Sequence, residues 1–413
     1  MPESESTIAI QFDRDAGRSP KELWLGALIA GISGWTLDAF DFFLVVLSLT
    51  AIGRSFGQDD KHMALALTAT LALRPVGAFI LGGISDRFGR RIPLALNLVL
   101  FACVELLTGL AHNFTQFLIV RAIFGVVMGG QWGVGVALAM EKVPIRHRGI
   151  LSGLLQQGYA VGFLLAAVAY FCIFVRWSWR PLFFIGSVPA ISAALFVTLR
   201  VKETPVSIGS RGHSWTQLGA TVVQHWKLLA YFTVFMMAMH MSSHGTQDMY
   251  PTFLQRQWGV QPQMRAVLTS ISMVGAIIGG LTIGHLSDRL GRRRAMIISI
   301  FGAILTIPLW AFAPSLPLLM TGAVLMQFFV QGAWGVVPAH VAELSPDSIR
   351  GSLPGLGNQF GAVLASSVIF LEAAMARRLT YSRAMACTSM VVFLLAIGLT
   401  FLGKEKRAVS PVN

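Results

Sequence analysis

Nine side chains that carry or can acquire charge lie inside long apolar stretches of this 413-residue chain: Asp38, Asp41, Arg74, Glu105, Arg121, His240, His244, Asp248 and Glu372. An ionisable group in hydrocarbon costs from about 3 kcal/mol upward, so such residues usually face an interior and have a task there. Both signs are present. Together they could hold a small charged solute and exchange protons beside it.

Asp38 and Asp41, in GWTLDAFDFFLVVL from Gly34, are three apart and share a helical face with Trp35 and Thr36. Two carboxylates so close repel, which favours a proton on one of them, as a proton carrier near neutral pH requires. The alternative is a pair of permanent ion bridges to Arg74 or Arg121. Arg74 falls near mid-helix, roughly 15 Å from the helix end at 1.5 Å per residue. A guanidinium is a planar fork that matches a carboxylate, so one arginine can grip an anionic solute while the other neutralises the aspartates. Arg74 is the stronger candidate for the anion. Arg121 is balanced between substrate contact and scaffold.

The stretch HMSSHGTQDMYPT from His240 to Thr252 puts His240, Ser243, His244, Gln247 and Pro251 on one helical stripe, with His244 and Asp248 four apart and able to pair. A polar stripe in an apolar helix should face a wet cavity. Helix-to-helix glue is the plainer reading, and it covers only one or two of these residues. Pro251 lacks an amide proton, frees the carbonyl of Gln247 and is expected to kink the outer end. Gln131, Gln157, Tyr159, Gln331, Asn358 and Gln359 add neutral hydrogen bonds suited to a hydroxyl or keto group, and Trp132 and Trp334 could wall the pocket. No nucleotide-binding loop, metal-ligand spacing or hydrolase nucleophile accompanies them. Neither an enzyme nor a cofactor is expected.

These residues need a frame. Composition supplies it: 54% of residues are hydrophobic and 12% charged, against about 25% charged in ordinary soluble domains. Apolar runs of the length that crosses a ~30 Å hydrocarbon layer occur near 23–52, 64–84, 92–111, 115–139, 149–173, 181–200, 228–254, 266–286, 295–312, 317–340, 352–374 and 382–402. The chain is also duplicated. GGISDRFGRR at 82–91 returns as GGLTIGHLSDRLGRRR at 279–294, and a shift of 202 carries Asp86 onto Asp288, Trp132 onto Trp334, Glu141 onto Glu343 and Arg148–Gly149 onto Arg350–Gly351. The expected fold is therefore an all-α polytopic membrane protein, with twelve transmembrane helices in two six-helix pseudo-symmetric halves.

The halves are expected at 23–200 and 228–402, joined by a linker at 201–227 and flanked by tails at 1–22 and 403–413. The first residues do not form a signal peptide. Cys103, Cys172 and Cys387 sit singly in apolar runs and read as packing residues. The net charge of +13 could be taken for a nucleic-acid footprint, but its distribution follows topology. With the amino terminus inside, twenty-one Lys and Arg fall in inner segments and nine in outer ones, which places both termini in the cytoplasm.

GGISDRFGRR and HLSDRLGRRR resemble the loop signature of the major facilitator superfamily, and RAIFGVVMGG at 121–130 resembles its helix 4 motif. The resemblance spans the chain and implies a conformational latch, here Asp86 with Arg90 and Asp288 with Arg292, the aspartates sitting at the positive ends of neighbouring helices. Ser243, His244, Thr246, Gln247, Asp248 and Thr252 further fit N-x-x-[ST]-H-x-[ST]-Q-D-x-x-x-T, the signature of Jen-type monocarboxylate permeases, with His240 where that pattern has asparagine. DAFDFF at 38–43 and LRPVGAF at 73–79 resemble this branch and the related sialate:proton symporters, and Gln359 in GLGNQFG matches the glutamine that Jen-type permeases carry in helix 11.

The resemblance implies a proton-coupled symporter of small monocarboxylates such as lactate or pyruvate, working by alternating access as a monomer in a plasma or bacterial inner membrane. Sialic acid or another organic acid is the alternative, and a non-transporting membrane sensor the rival of different class. Substrate contacts are expected from Arg74, Arg121, His244, Gln247, Gln157, Tyr159, Asn358 and Gln359. Proton coupling is expected from Asp38, Asp41, His240 and Asp248. His240 also falls opposite Asp38 by the shift of 202, which suggests a contact between halves. The partners are a carboxylate, protons and lipid, with no nucleic acid.

Overall fold

A computed structural model describes residues 20–203 and 215–405. Every regular element among them is helical. Among the described residues eleven helices are long and apolar enough to cross a membrane, and the bent pair Trp215–Gln224 with Trp226–Arg256, which passes the same test together, gives a twelfth when counted as one span. In chain order the spans are α1 Pro20–Ser55, α2 Asp60–Phe88, α3 Arg91–Leu110, α4 Phe114–Lys142, α5 Ile145–Phe174 and α6 Arg180–Arg200. The second set is α7 Trp226–Arg256, α8 Pro262–Leu290, α9 Arg292–Phe312, α10 Leu316–Leu344, α11 Ser352–Ala376 and α12 Tyr381–Leu402. Both bounds of α2 recur in α8, and both bounds of α4 in α10, displaced by 202.

Helices suit this sequence because hydrocarbon offers no partner for a free amide or carbonyl, and a helix satisfies its own. The bundle's outer surface is apolar: Phe171 and Phe370 are each 76% exposed, as lipid contact requires. The three cysteines are also exposed there and unpaired, so they do not pack the interior as their apolar settings suggested. The turn between α2 and α3, and its counterpart between α8 and α9, lies on the same side as both described chain ends, here the loop side. Gly89 (φ 102°) and Gly291 (φ 92°) make those two turns in a left-handed conformation that a side chain would strain. Glu203 accepts from the Arg90 amide at 2.7 Å and caps the start of α3.

Between the halves, α5 packs on α8 and α11 on α2. α5 also packs on α10, and α11 on α4. The segment 201–227 holds a helix, Trp215–Gln224, that meets α7 at 72°. Trp215 packs against Phe79 and over Gly83, next to the loop motif. Residues 204–214, and most of both tails, lie outside the described residues.

Candidate functional site

α1 positions both aspartates. Three residues advance a helix by about 300°, so the two carboxyls point about 60° apart and meet different neighbours. Arg121 on α4 grips Asp41 with both nitrogens, Nη1 to Oδ1 at 3.1 Å and Nη2 to Oδ2 at 2.6 Å, and both side chains are buried. The guanidinium also lies 4.0 Å over the Phe124 ring. Arg121 is thus engaged in the wall of the amino-terminal half, where it was weighed equally as a substrate contact. Glu105 on α3 lies beside Asp41, fully buried, with neither carboxyl oxygen hydrogen-bonded.

Asp38 turns the other way. It is fully buried with both oxygens unpartnered, and Arg74 on α2 is its strongest charged neighbour. Arg74 makes no hydrogen bond and no ion pair within 4.0 Å among the described residues, and its Nε is buried without a partner. Its field reaches Tyr159 on α5 and both His240 and His244 on α7. The backbone at Arg74 is held by close packing, since a Cβ on Gly129 of α4 would overlap the Arg74 carbonyl oxygen. Trp35 and Tyr159 stack with centroids 6.1 Å apart and form an aromatic wall near this cation.

The carboxy-terminal half presents histidines, amides and one acidic partner, Asp248. His240 Nε2 lies 3.0 Å from Asn358 Oδ1 on α11, and its ring packs on His244 and against Trp334. The expected contact with Asp38 is not made, because Asp38 faces Arg74 within its own half. His244 Nδ1 lies 3.0 Å from Asp248 Oδ2, and these two side chains stay 34% and 33% exposed. The other polar residues of α7 bond to α10: Gln331 donates to Ser243 at 2.9 Å, while Gln247 donates to Gln327 at 2.7 Å and Gln327 to Thr246 at 3.3 Å. Helix glue therefore explains more of the stripe than its sequence suggested. Gln327 is absent from the polar set that the sequence suggests, although its place in the apolar run of α10 marks it as a buried amide needing a partner.

α7 breaks at Asp248 and Met249 and resumes at Tyr250–Arg256, just before and across Pro251. Gln359 reaches across the halves to donate to the Gly129 carbonyl at 3.2 Å. Gln157 is buried in a break of α5 against Gly280, with its Nε2 unpartnered. Glu372 on α11 is fully buried against Gly245, both oxygens unpartnered, with Asp248 its nearest acidic neighbour. No group of three His, Cys, Asp or Glu that could hold a metal ion occurs among the described residues.

On the loop side the halves are joined by two matching networks. Asp86 Oδ1 and Oδ2 accept from the Gly351 and Ser352 amides at 2.8 and 2.9 Å, capping α11. Asp288 accepts from the Gly149 and Ile150 amides at 2.7 and 3.1 Å, capping α5. A carboxylate at a helix start satisfies free amides and meets the positive end of the helix dipole. Arg90 binds Asp86 and, at 3.2 Å, Glu141; Arg292 binds Asp288 at 2.8 Å and Glu343 at 3.1 Å. Burial works against the Arg90 charge, yet the adjoining Asp86 and Glu141 outweigh it and raise its proton affinity further. Arg148 to Glu343 and Arg350 to Glu141, at 3.6 and 3.9 Å, cross between halves in both directions. Ser152 adds a bond to the Gly335 carbonyl at 2.7 Å. The molecule is therefore closed on the loop side, and the partly exposed His244 and Asp248 lie toward the other.

The sequence profile of the Major Facilitator Superfamily matches residues 23–249, and that of sugar and other transporters matches 220–404. A carboxylic acid transporter protein homolog of Saccharomyces cerevisiae is 28% identical, over 91% of this chain and 67% of that protein. A probable 4-methylmuconolactone transporter of Cupriavidus pinatubonensis is 27% identical, over 92% and 90%. The solved proton:xylose symporter XylE shares the fold, with a TM-score of 0.77 at 17% identity over 94% of this chain and 97% of that one. Family, twelve helices and the duplicated loop networks agree: this chain is a member of the Major Facilitator Superfamily of membrane transporters.

Proposed function

We propose that the protein is a proton-coupled symporter of a small monocarboxylate, with lactate and pyruvate as the leading substrates. The observation that carries this reading is Arg74. A buried guanidinium with no ion-pair partner is costly, and here it faces groups from both halves. An anionic head bound between the halves would complete it, while Tyr159, His244, Asn358 and Gln247 offer hydrogen bonds to the remainder.

Asp38 supplies the coupling. Ionised, it balances Arg74; protonated, it releases Arg74 to the substrate. Proton and anion then load together, and a carrier with both bound is electrically similar to one with neither. The Asp86 and Asp288 networks act as latches that hold the loop side shut, and alternating access requires both to open. With the loop side cytoplasmic, as the charge distribution favours, both termini face the cytoplasm of a plasma or bacterial inner membrane and the site opens outward. The relatives support an organic acid. The 4-methylmuconolactone transporter and the Trp35–Tyr159 wall favour a second reading, in which the acid carries a flat unsaturated group.

The test is uptake into proteoliposomes from a panel of labelled carboxylates under an inward proton gradient. Lactate or pyruvate should accumulate, lose accumulation with a protonophore and compete better than sialic acid. Asp38→Asn should keep counterflow exchange and lose accumulation. Sodium-dependent uptake indifferent to the protonophore would refute proton coupling.

A further inference from the structure

Glu105 is fully buried in the amino-terminal half, and nothing above gives it a role. Its carboxyl lies on α3 among α1, α4 and α6. One oxygen is 3.4 Å from where a Cβ on Gly186 of α6 would stand, so packing is close on that side. The ionisable groups facing it are Asp41 on α1 and Arg121 on α4. Asp38 lies further along α1 toward Arg74, and α6 carries only its terminal arginines, Arg180 and Arg200.

Arg121 already gives both terminal nitrogens to Asp41. Glu105 stands within hydrogen-bonding reach of the same Asp41, yet neither of its oxygens meets a donor among the described residues. Two ionised carboxylates cannot share that space around one guanidinium in a dry interior. A proton resolves the arrangement. On a Glu105 oxygen it turns the repelling contact into an O–H···O bond to Asp41, and it leaves one carboxylate to balance one arginine.

The other half argues that packing alone does not require these groups. A shift of 202 carries Asp41, Glu105 and Arg121 onto Ser243, Ile307 and Ala323. Ile307 and Ala323 are buried there without charge. The same scaffold is thus built once with three ionisable side chains and once with neutral ones.

We propose that Glu105 and Asp41 share one proton, forming a proton-binding site separate from Asp38. The bound proton holds the Asp41–Arg121 bridge in the arrangement described. When it leaves, two carboxylates compete for Arg121 and the contacts among α1, α3 and α4 must rearrange. The site's use in transport rests on the proton-coupled reading above. Its existence can be read without substrate.

Infrared spectroscopy of the purified, substrate-free full chain at neutral pH separates the carbonyl stretch of a protonated carboxyl from carboxylate bands. One such carbonyl band should be lost in Glu105→Gln and retained in Glu372→Gln. Asp41→Asn should also abolish it, because Glu105 then becomes the sole carboxylate for Arg121 and ionises; this variant serves if Glu105→Gln does not fold. A wild-type spectrum without a protonated-carboxyl band, or one from which neither Glu105→Gln nor Asp41→Asn removes such a band, overturns the proposal. Failure of proton coupling is read elsewhere: wild-type uptake indifferent to a protonophore leaves the band assignment unaffected.

Discussion

The loop side and the middle of the membrane treat the duplication in opposite ways. At the loop side the charged contacts are made twice: Asp86 on the start of α11 and Asp288 on the start of α5, Arg90 with Glu141 and Arg292 with Glu343, Glu203 over Gly89 and Glu405 over Gly291. In the middle the pairing fails. Asp38, Asp41, Arg74, Glu105 and Arg121 fall on His240, Ser243, Ala276, Ile307 and Ala323. Two equal hinges need equal fastenings, so the ends keep the repeat. A binding site for an anion needs its cation on one side only, so both mid-membrane arginines stand in the amino-terminal half, while the other offers histidines and amides beside Asp248 and Glu372.

Removing Asp41 should test that division most severely. Truncating one partner of a buried ion pair costs about 3–5 kcal/mol; Glu105 can ionise toward Arg121 and offset part of that, yet Asp41→Ala should still give the largest fall in unfolding temperature among these variants. Replacing the pair by the residues of the other half, Asp41→Ser with Arg121→Ala, should restore much of the loss. Thermal unfolding in detergent reads both. If the double variant is no more stable than Asp41→Ala, the two halves are not interchangeable scaffolds at this level.

Arg74 comes next, and its effect should appear in binding. Removing a buried charged partner costs about 2–5 kcal/mol, which is about thirtyfold or more in affinity. Arg74→Ala also installs the residue found at the corresponding position 276, so the fold should tolerate it. Arg74→Lys should recover little, because a point charge does not reproduce the fork. Calorimetry with lactate and pyruvate measures this. Near wild-type affinity in a folded Ala variant would move the anion site toward His244.

The two latches sharpen the comparison where it is closest. Hydrogen bonds to a charged group are worth about 1.5–3 kcal/mol, and Asp86→Asn and Asp288→Asn each weaken two amide bonds and one arginine pair. They should not be equal. The Asp86–Arg90 pair is 0% exposed on both sides, whereas Asp288 and Arg292 keep 8% and 9%. Asp86→Asn should therefore loosen the loop side more. Labelling of a single cysteine introduced at Ser152, on the interface, would rank the two, and equal labelling would show that burial does not separate them.

Much of this frame was legible in the chain. The twelve spans follow from apolar length, and the aspartate positions at helix starts follow from a repeated motif whose turn needs glycine. Partner choice was harder to read. Asp38 and Asp41 look equivalent by spacing, and only the 60° between them sends one to Arg74 and the other to Arg121. His240 was aligned with Asp38 by the repeat, yet equivalent positions need not touch, and its partner is Asn358 on a helix that packs beside α7. Glu203 and Glu405 obey the same register but lie just past the last apolar residue of each half, where hydropathy gives no signal. Gln327 looked like filler in an apolar run until the amides of α7 needed partners.

The smallest expected effect falls on Ser243, the counterpart of Asp41. Its hydroxyl accepts one neutral hydrogen bond from Gln331 at 2.9 Å, and such bonds contribute about 0.5–1.5 kcal/mol. Ser243→Ala should therefore lower the unfolding temperature only slightly and leave lactate binding within about threefold of wild type, since 0.6 kcal/mol corresponds to that factor. The polar stripe of α7 is then mostly a seam between α7 and α10 at this turn, with His244 and Asp248 left to face the solute. A large loss of affinity in Ser243→Ala, with stability preserved, would mean that the hydroxyl leaves Gln331 to meet the substrate. The carboxy-terminal half would then share in recognition at the very position where the amino-terminal half holds its bridge.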